Sequence, residues 1–289
     1  MAYWELALTV APDVEEGLTN FLWELGALGV VQEEAPGPPR LRAFFAGDAD
    51  PALLDARVSD YLIALTALGL PAPPPSRLTP LIDGNWAEAW REHFRPLPVG
   101  RRLLVAPPWD VPTCPGRIVT VIEPGRAFGT GHHESTAGCL EALEVIVAAG
   151  APARAIDLGT GSGILAIAAA RLGVGHTLAV DDDPDAVACA VRNAALNGVA
   201  DRVAVVRADA ATLIAEPAPL VMANLLTAAH VGLAAVYRRS VAAGGVLVLG
   251  GILDHEGPTA VAALAAQGFA LEATRSIREW TTIVGRRAA

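Results

Sequence analysis

From residue 154 onward, short apolar runs and helical patterns alternate down the chain. Apolar runs lie at 155–157, 177–181, 203–207, 220–224 and 246–250; helical stretches lie at 164–172, 184–196, 226–240 and 255–267. A strand followed by a helix and then another strand needs a crossover, and crossovers lay strands parallel with helices on both faces. The last two runs, near 269–276 and 281–285, have no helix between them, so they are expected as an antiparallel edge pair. The fold class that follows is α/β with a doubly wound parallel sheet.

The front of the chain reads differently. Trp4, Leu6, Leu8 and Val10 alternate with Glu5, Ala7 and Thr9, the mark of a half-buried strand. Leu18, Phe21, Leu22 and Leu25 then recur at helical spacing after Pro12-Asp13. Strands at 27–32 and 41–46 follow, then a helical face of Leu54, Val58, Tyr61, Leu62 and Leu65, and a closing strand after Ser76. The order β-α-β-β-α-β is that of a split βαβ, ferredoxin-like α+β module. Pro71-Ala72-Pro73-Pro74-Pro75 breaks the pattern and acts as a stiff spacer. The expected organisation is a small domain at 1–80, a linker and packing segment at 81–117, and the large domain at 118–289.

Composition removes several kinds of chemistry. All 21 basic residues are arginine, so a phosphate-binding, Schiff-base or general-base lysine is impossible. With 31 acids the net charge is -10, which argues against direct nucleic-acid binding. Residues 1–71 hold eleven of the acids and only three arginines. That imbalance fits attraction to a basic partner, and equally fits simple solubility. Cys114, Cys139 and Cys189 are far apart with no C-x-x-C, so neither a disulfide framework nor a cysteine zinc site is expected. The first residues lack a basic n-region, so no signal peptide is expected. The longest charge-free apolar stretch, 241–253, contains four glycines and is shorter than the ~20 residues that span a bilayer. The chain is expected to be cytoplasmic, off the membrane and monomeric.

The chemistry gathers at strand ends. Ala155-Ile-Asp-Leu-Gly-Thr-Gly-Ser-Gly163 is an apolar strand that runs into glycines and then a helix. Gly159 and Gly161 let the backbone approach a ligand, and the helix that follows offers free N–H groups. A dinucleotide fingerprint needs a small residue at 164, where this chain has Ile164. The spacing is G-x-G-x-G, which resembles the first motif of S-adenosylmethionine-dependent methyltransferases. Asp181 ends the second strand, 22 residues after Gly159, where a carboxylate accepts ribose hydroxyls in nicotinamide and methyl-donor enzymes alike. Asp183, before Pro184, is the expected helix cap. Asp209 is placed either to accept an adenine amino group or to stand as a solvated loop acid. Asn224 is followed by Leu225-Leu226-Thr227, which has neither the proline nor the aromatic of base-modifying methyltransferases, so an amine is the expected acceptor.

Four further segments carry a wider likeness. They are Glu123-Pro-Gly-Arg-Ala-Phe-Gly-Thr-Gly-His-His-Glu-Ser-Thr-Ala-Gly-Cys-Leu140, Asp83-Gly-Asn-Trp-Ala-Glu-Ala-Trp-Arg-Glu-His-Phe-Arg-Pro-Leu97, Ala106-Pro-Pro-Trp109 and Arg278-Glu-Trp-Thr-Thr-Ile-Val-Gly-Arg286. With them the chain closely resembles the ribosomal protein L-eleven methyltransferases (PrmA) over nearly its whole length. The resemblance implies a Rossmann-like class I methyltransferase sheet and S-adenosyl-L-methionine as cofactor. It implies donor contacts from Thr136, Gly159, Asp181 and Asn224, beside which Gly161 and Asp209 are candidates from the residues themselves. It also implies that the acidic front domain docks a basic large-subunit ribosomal protein whose lysine ε-amines and N-terminal α-amine are methylated. Asn224 is the candidate for orienting the amine, and Phe128 either lines the channel for the target side chain or simply packs.

The family's loop usually reads G-T-G-T-H-P-T-T; here His132, Glu134 and Ser135 replace Thr, Pro and Thr, and Thr136 is kept. Adjacent histidines point apart, so no metal site is expected at His132-His133. Two readings compete with an enzyme acting on that ribosomal protein. One is the same enzyme acting on another basic protein; the other is a donor-binding docking protein without activity. A nicotinamide oxidoreductase is disfavoured by Ile164 and by the absence of lysine.

Overall fold

A computed structural model of the chain describes residues 3–33, 40–67, 70, 76–81, 94–123 and 134–289. The chain divides into two compact units, Met1–Arg95 and Pro96–Ala289. The break between them falls within the segment 81–117.

The first unit runs β1 (Tyr3–Thr9), α1 (Pro12–Glu24), β2 (Gly29–Glu33), β3 (Arg40–Ala46), α2 (Pro51–Ala67) and β4 (Arg77–Leu81). Its sheet has the order β2-β3-β1-β4, and each neighbouring pair is antiparallel. This is the split βαβ order: β1 and β2 run the same way with β3 between them. Alternation along β1 turns Leu6 and Leu8 inward, with Val10 just beyond the strand, to meet Val14, Leu18 and Leu22 of α1 and Leu54, Val58 and Leu65 of α2. The two helices also meet through the stacked rings of Phe21 and Tyr61, 3.9 Å apart.

The second unit opens with a three-stranded sheet, β5 (Leu97–Val99), β6 (Leu103–Ala106) and β7 (Ile118–Val121). β5 pairs antiparallel with β6, and β6 pairs parallel with β7. Strands of three and four residues are too short to show alternation, which is why the sequence read most of this region as connection. A buried carboxylate fastens the β5–β6 turn to helix α3 (Glu134–Ala149): both oxygens of Glu144 accept the Arg101 N–H, at 3.0 and 3.2 Å.

The main sheet holds β8 (Arg154–Leu158), β9 (His176–Asp181), β10 (Val203–Arg207), β11 (Ala218–Asn224), β12 (Val241–Leu253), β13 (Phe269–Ile277) and β14 (Trp280–Arg287), in the order β10-β9-β8-β11-β12-β14-β13. The first five strands in that order are parallel, and β14 is antiparallel to both β12 and β13. The crossovers carry α4 (Ile164–Leu172), α5 (Pro184–Leu196), α6 (Thr227–Ser240) and α7 (Gly257–Ala266). Successive strand residues face opposite cores. Leu220 and Met222 join the α3 and α4 side, while Val221 and Ala223 join the α6 and α7 side. Trp280 is buried where the last hairpin closes. Strand order reverses at β8, so a crevice opens between the chain leaving β8 and the chain leaving β11, at the carboxyl ends of the strands.

Loss of the Glu144 carboxylate leaves the Arg101 N–H without its acceptor. Glu144→Ala is expected to cost about 1–3 kcal/mol in urea unfolding, and Glu144→Gln, which keeps one acceptor, about half of that.

Candidate active site

Two carboxylates on neighbouring strands hold the glycine turn. Asp157, inside β8 and 1% exposed, accepts the Thr160 hydroxyl at 2.6 Å and the Ala166 N–H at 3.2 Å on Oδ2. Asp181, ending β9, accepts the Gly161 N–H at 2.8 Å on Oδ2 and the Asp183 N–H at 3.1 Å on Oδ1. The N–H groups of Gly159 and Thr160 both reach Val180 O, at 2.9 and 3.0 Å. These bonds fold the turn into left-handed conformations at Gly159, Gly161 and Gly163. At Gly163 there is a second demand: a Cβ would sit 3.1 Å from Ala190 Cβ, so a side chain would push α4 off α5.

Asp157 escaped the sequence reading. The signal was present as a lone acid in an otherwise apolar strand two residues before the first glycine. Burial pushes its carboxyl up to about 6, although the bonds from Thr160 and Ala166 pull the other way. Its Oδ1 is buried with no hydrogen-bond partner among the described residues. Asp181 spends two bonds on the protein and keeps lone pairs for a ligand. Asp183 caps α5 by accepting the Asp185 N–H at 2.8 Å. Asp209 also caps, accepting the Ala211 N–H at 2.8 Å ahead of a short 3-10 turn, and its side chain is exposed.

On the other side of β8, Asn224 ends β11. Its Nδ2 donates to the Oγ1 of fully buried Thr136, 3.1 Å away, and joins α3 to the sheet. Its Oδ1 is buried and has no hydrogen-bond partner among the described residues. Gly250, opposite Asn224 on β12, keeps this space open; a Cβ there would press into Cys139 Sγ and lie 2.8 Å from Asn224 Oδ1. Cys139 itself is inert, since burial pushes its thiol up to about 12.

Behind this corner lies a histidine that the sequence reading did not single out. His230 of α6 is 1% exposed. Its Nε2 lies 2.8 Å from Gly250 O and its Nδ1 2.8 Å from the Tyr237 hydroxyl. A carbonyl only accepts, so Nε2 carries the proton and Nδ1 takes the one from Tyr237. Burial lowers the imidazole to about 4 and raises the phenol, so both are neutral near pH 7. With both nitrogens engaged, His230 is a strut for Gly250 and not a base.

The turn, Asp181, Thr136 and Asn224 therefore stand at the carboxyl ends of the strands. Phe128, Gly129, His132 and His133, with Trp86 and Trp90, lie outside the described residues. The family model described as "Ribosomal protein L11 methyltransferase (PrmA)" matches residues 2–288. The chain belongs to that family. It is 38% identical to the ribosomal protein L11 methyltransferase of Pelobacter propionicus, over 99% of this chain and 97% of that one. It is 39% identical to that of Geobacter sulfurreducens, over 98% and 97%. The crystal structure of the ribosomal protein L11 methylase of Lactobacillus delbrueckii subsp. bulgaricus superposes with a TM-score of 0.62 at 26% identity, covering 68% of this chain and all of that one. The protein is thus a methyltransferase of this family with a Rossmann-like sheet. No helix among the described residues is long and apolar enough to cross a membrane.

The buried groups set an acid dependence whose sign follows from linkage. His230 titrates near 4 when folded against 6.5 unfolded, so stability falls as pH drops from 6.5 to 4. Asp157 titrates near 6 folded against 3.8, so its ionisation costs stability above 6 and that cost is relieved on the way down. Between pH 7 and 5 the histidine costs about 2 kcal/mol and the aspartate returns about 1. His230→Gln is expected to remove most of the acid-induced loss, read as urea midpoints at the two pH values. NMR of the intact protein should show the His230 imidazole neutral at pH 5.5.

Proposed function

We propose that this methyltransferase modifies ribosomal protein L11 on amines, the ε-amines of lysines and the N-terminal α-amine. The observation that carries the amine reading is Asn224 Oδ1, a buried acceptor at the end of β11 without a donor among the described residues. The methyl donor is S-adenosyl-L-methionine, and the residues present fit it. The turn at 159–163 gives backbone access, Asp181 has lone pairs left for ribose hydroxyls, and Gly250 keeps the corner beside Asn224 free of a side chain. When bound, the donor supplies a methyl group on an electrophilic sulfonium.

The chain's own residues then do three things. Gly159, Gly161, Asp181 and Thr136 hold the donor, and Asp209 borders the position proposed for the adenine. Asn224 Oδ1 accepts a hydrogen from the incoming amine and points its lone pair along the line of transfer. Fixing that line replaces roughly 7–11 kcal/mol of orientational barrier. The amine must arrive uncharged. At pH 7.4 that costs about 4 kcal/mol for a free lysine with a pKa of ~10.4, and about 0.5 for an α-amine at ~7.8. With His230 fully engaged, neutralisation of a lysine falls to desolvation, the nearby positive sulfonium and water.

The acidic module at 1–80 is proposed to dock the basic ribosomal protein, with the enzyme acting as a monomer in the cytoplasm. Phe128 is proposed to line the channel for the target side chain.

Asn224→Ala is expected to lower turnover on a lysine target at least tenfold in a radiolabelled methyl assay with purified ribosomal protein L11; an unchanged rate would dismiss the role. Asp181→Ala is expected to weaken S-adenosylmethionine binding tenfold or more in calorimetry, since charge-assisted bonds contribute roughly 1.5–3 kcal/mol each. Mass spectrometry of ribosomal protein L11 from cells with and without the gene identifies the amines; if no mass difference is found, the substrate assignment fails.

A further inference from the structure

The end of helix α5 buries two asparagines one turn apart, Asn193 in its last turn and Asn197 just beyond it, at 0% and 6% exposure. Asn197 faces the outer edge of β7, which among the described residues has no strand beside it, and Asn193 faces the chain that leaves β7. Asn197 serves that edge as a strand would: its Oδ1 accepts the Val121 N–H at 2.8 Å, and its Nδ2 donates to Val121 O at 2.6 Å. Asn193 does something else. Its Oδ1 accepts the Glu123 N–H at 3.0 Å, while its Nδ2 donates to Ser162 O at 2.8 Å, inside the glycine turn.

The peptide between Ser162 and Gly163 is thereby held from both sides. Its carbonyl takes the Asn193 N–H, and its own N–H reaches Thr160 O at 2.9 Å. No strand ladder joins β7 to that turn. Asn193 is a direct polar link from the chain leaving the small sheet to the peptide that opens α4. We infer that Asn193 is a positioning residue for the methyl donor, fixing the Ser162–Gly163 peptide against the chain leaving β7, whereas Asn197 holds the Val121 edge without touching that peptide. The inference rests on the donor reading above.

The two asparagines make the test. Asn193→Asp keeps an acceptor for Glu123 N–H and loses the donor to Ser162 O. Asn193→Leu loses both, and Asn197→Leu loses the bonds to Val121 and the one its Nδ2 gives to Asn193 O at 2.8 Å, but none to the glycine turn. Thermal unfolding should fall in both leucine variants. Calorimetric Kd for S-adenosylmethionine should rise about tenfold in both Asn193 variants and stay within twofold in Asn197→Leu. Unchanged donor affinity in the Asn193 variants overturns the inference, and so does an equal loss in Asn197→Leu, which would mean general loosening.

If the Asn193 variants do not fold, hydrogen exchange on the wild-type chain decides. Saturating donor should slow exchange in peptides covering 121–123 as well as 161–163; protection confined to 161–163 overturns the link. A wild-type chain that takes up no S-adenosylmethionine sinks the donor reading itself, an outcome distinct from any of these.

Discussion

The hydrogen bonds that Asp157 and Asp181 accept from the turn between β8 and α4 decide where everything else at this end of the sheet must stand. Asp157 grips the turn from below through Thr160 and Ala166, and Asp181 grips it from the side through Gly161. A turn of glycines has more backbone freedom to lose than any other, so it needs such clamps to present one conformation. Burying Asp157 is expensive, as the upward shift of its carboxyl shows. The cost is offset by the two bonds it accepts and by a turn that is already shaped before a ligand arrives.

Across β8 the same logic is applied without charge. Thr136, Asn224, His230 and Tyr237 form a neutral set whose bonds tie α3 to β11 and α6 to β12. The hydroxyl of Tyr237 and the imidazole of His230 fix Gly250 O, which also accepts the Leu225 N–H at 3.1 Å. Gly250 in turn leaves the space that Asn224 Oδ1 faces. One side of the crevice is therefore acidic and suited to sugar hydroxyls. The other is neutral and apolar, ringed by Cys139, Gly250 and Thr136.

Much of this was legible from the residues because it rests on local patterns. Strand–helix alternation gave the parallel sheet, and the missing helix before 281 gave the antiparallel pair at its edge. The turn at 159–163, the acid at 181 and the amide at 224 each sit where a strand ends, a position that sequence marks well. What stayed hidden depends on contacts remote in the chain. Asp157 reads as one polar residue in an apolar run until Thr160 and Ala166 close over it. Asn193 and Asn197 look like ordinary polar residues at a helix end, because their partners at 121–123 are seventy or more positions away. The strands β5 to β7 are too short to announce themselves. Asp209 kept both of its readings, since a capping bond to Ala211 leaves its second oxygen for a ligand.

An amide at position 224 suits an amine acceptor better than the carboxylate that a search for a general base would look for. A carboxylate within about 4–6 Å of an amine stabilises the ammonium form and raises its pKa. Each unit of that rise leaves tenfold less of the free amine that can attack. An amide oxygen accepts the same hydrogen bond without a full charge, so it orients the nucleophile and leaves its proton equilibrium to the donor's positive sulfur. With Nδ2 spent on the Thr136 hydroxyl, Oδ1 is turned toward the open corner. On this view Asn224→Asp is no conservative change. It would hold a lysine target in place while shifting the rise of its methylation rate to higher pH, whereas an α-amine, already half neutral near pH 7.8, would feel it less.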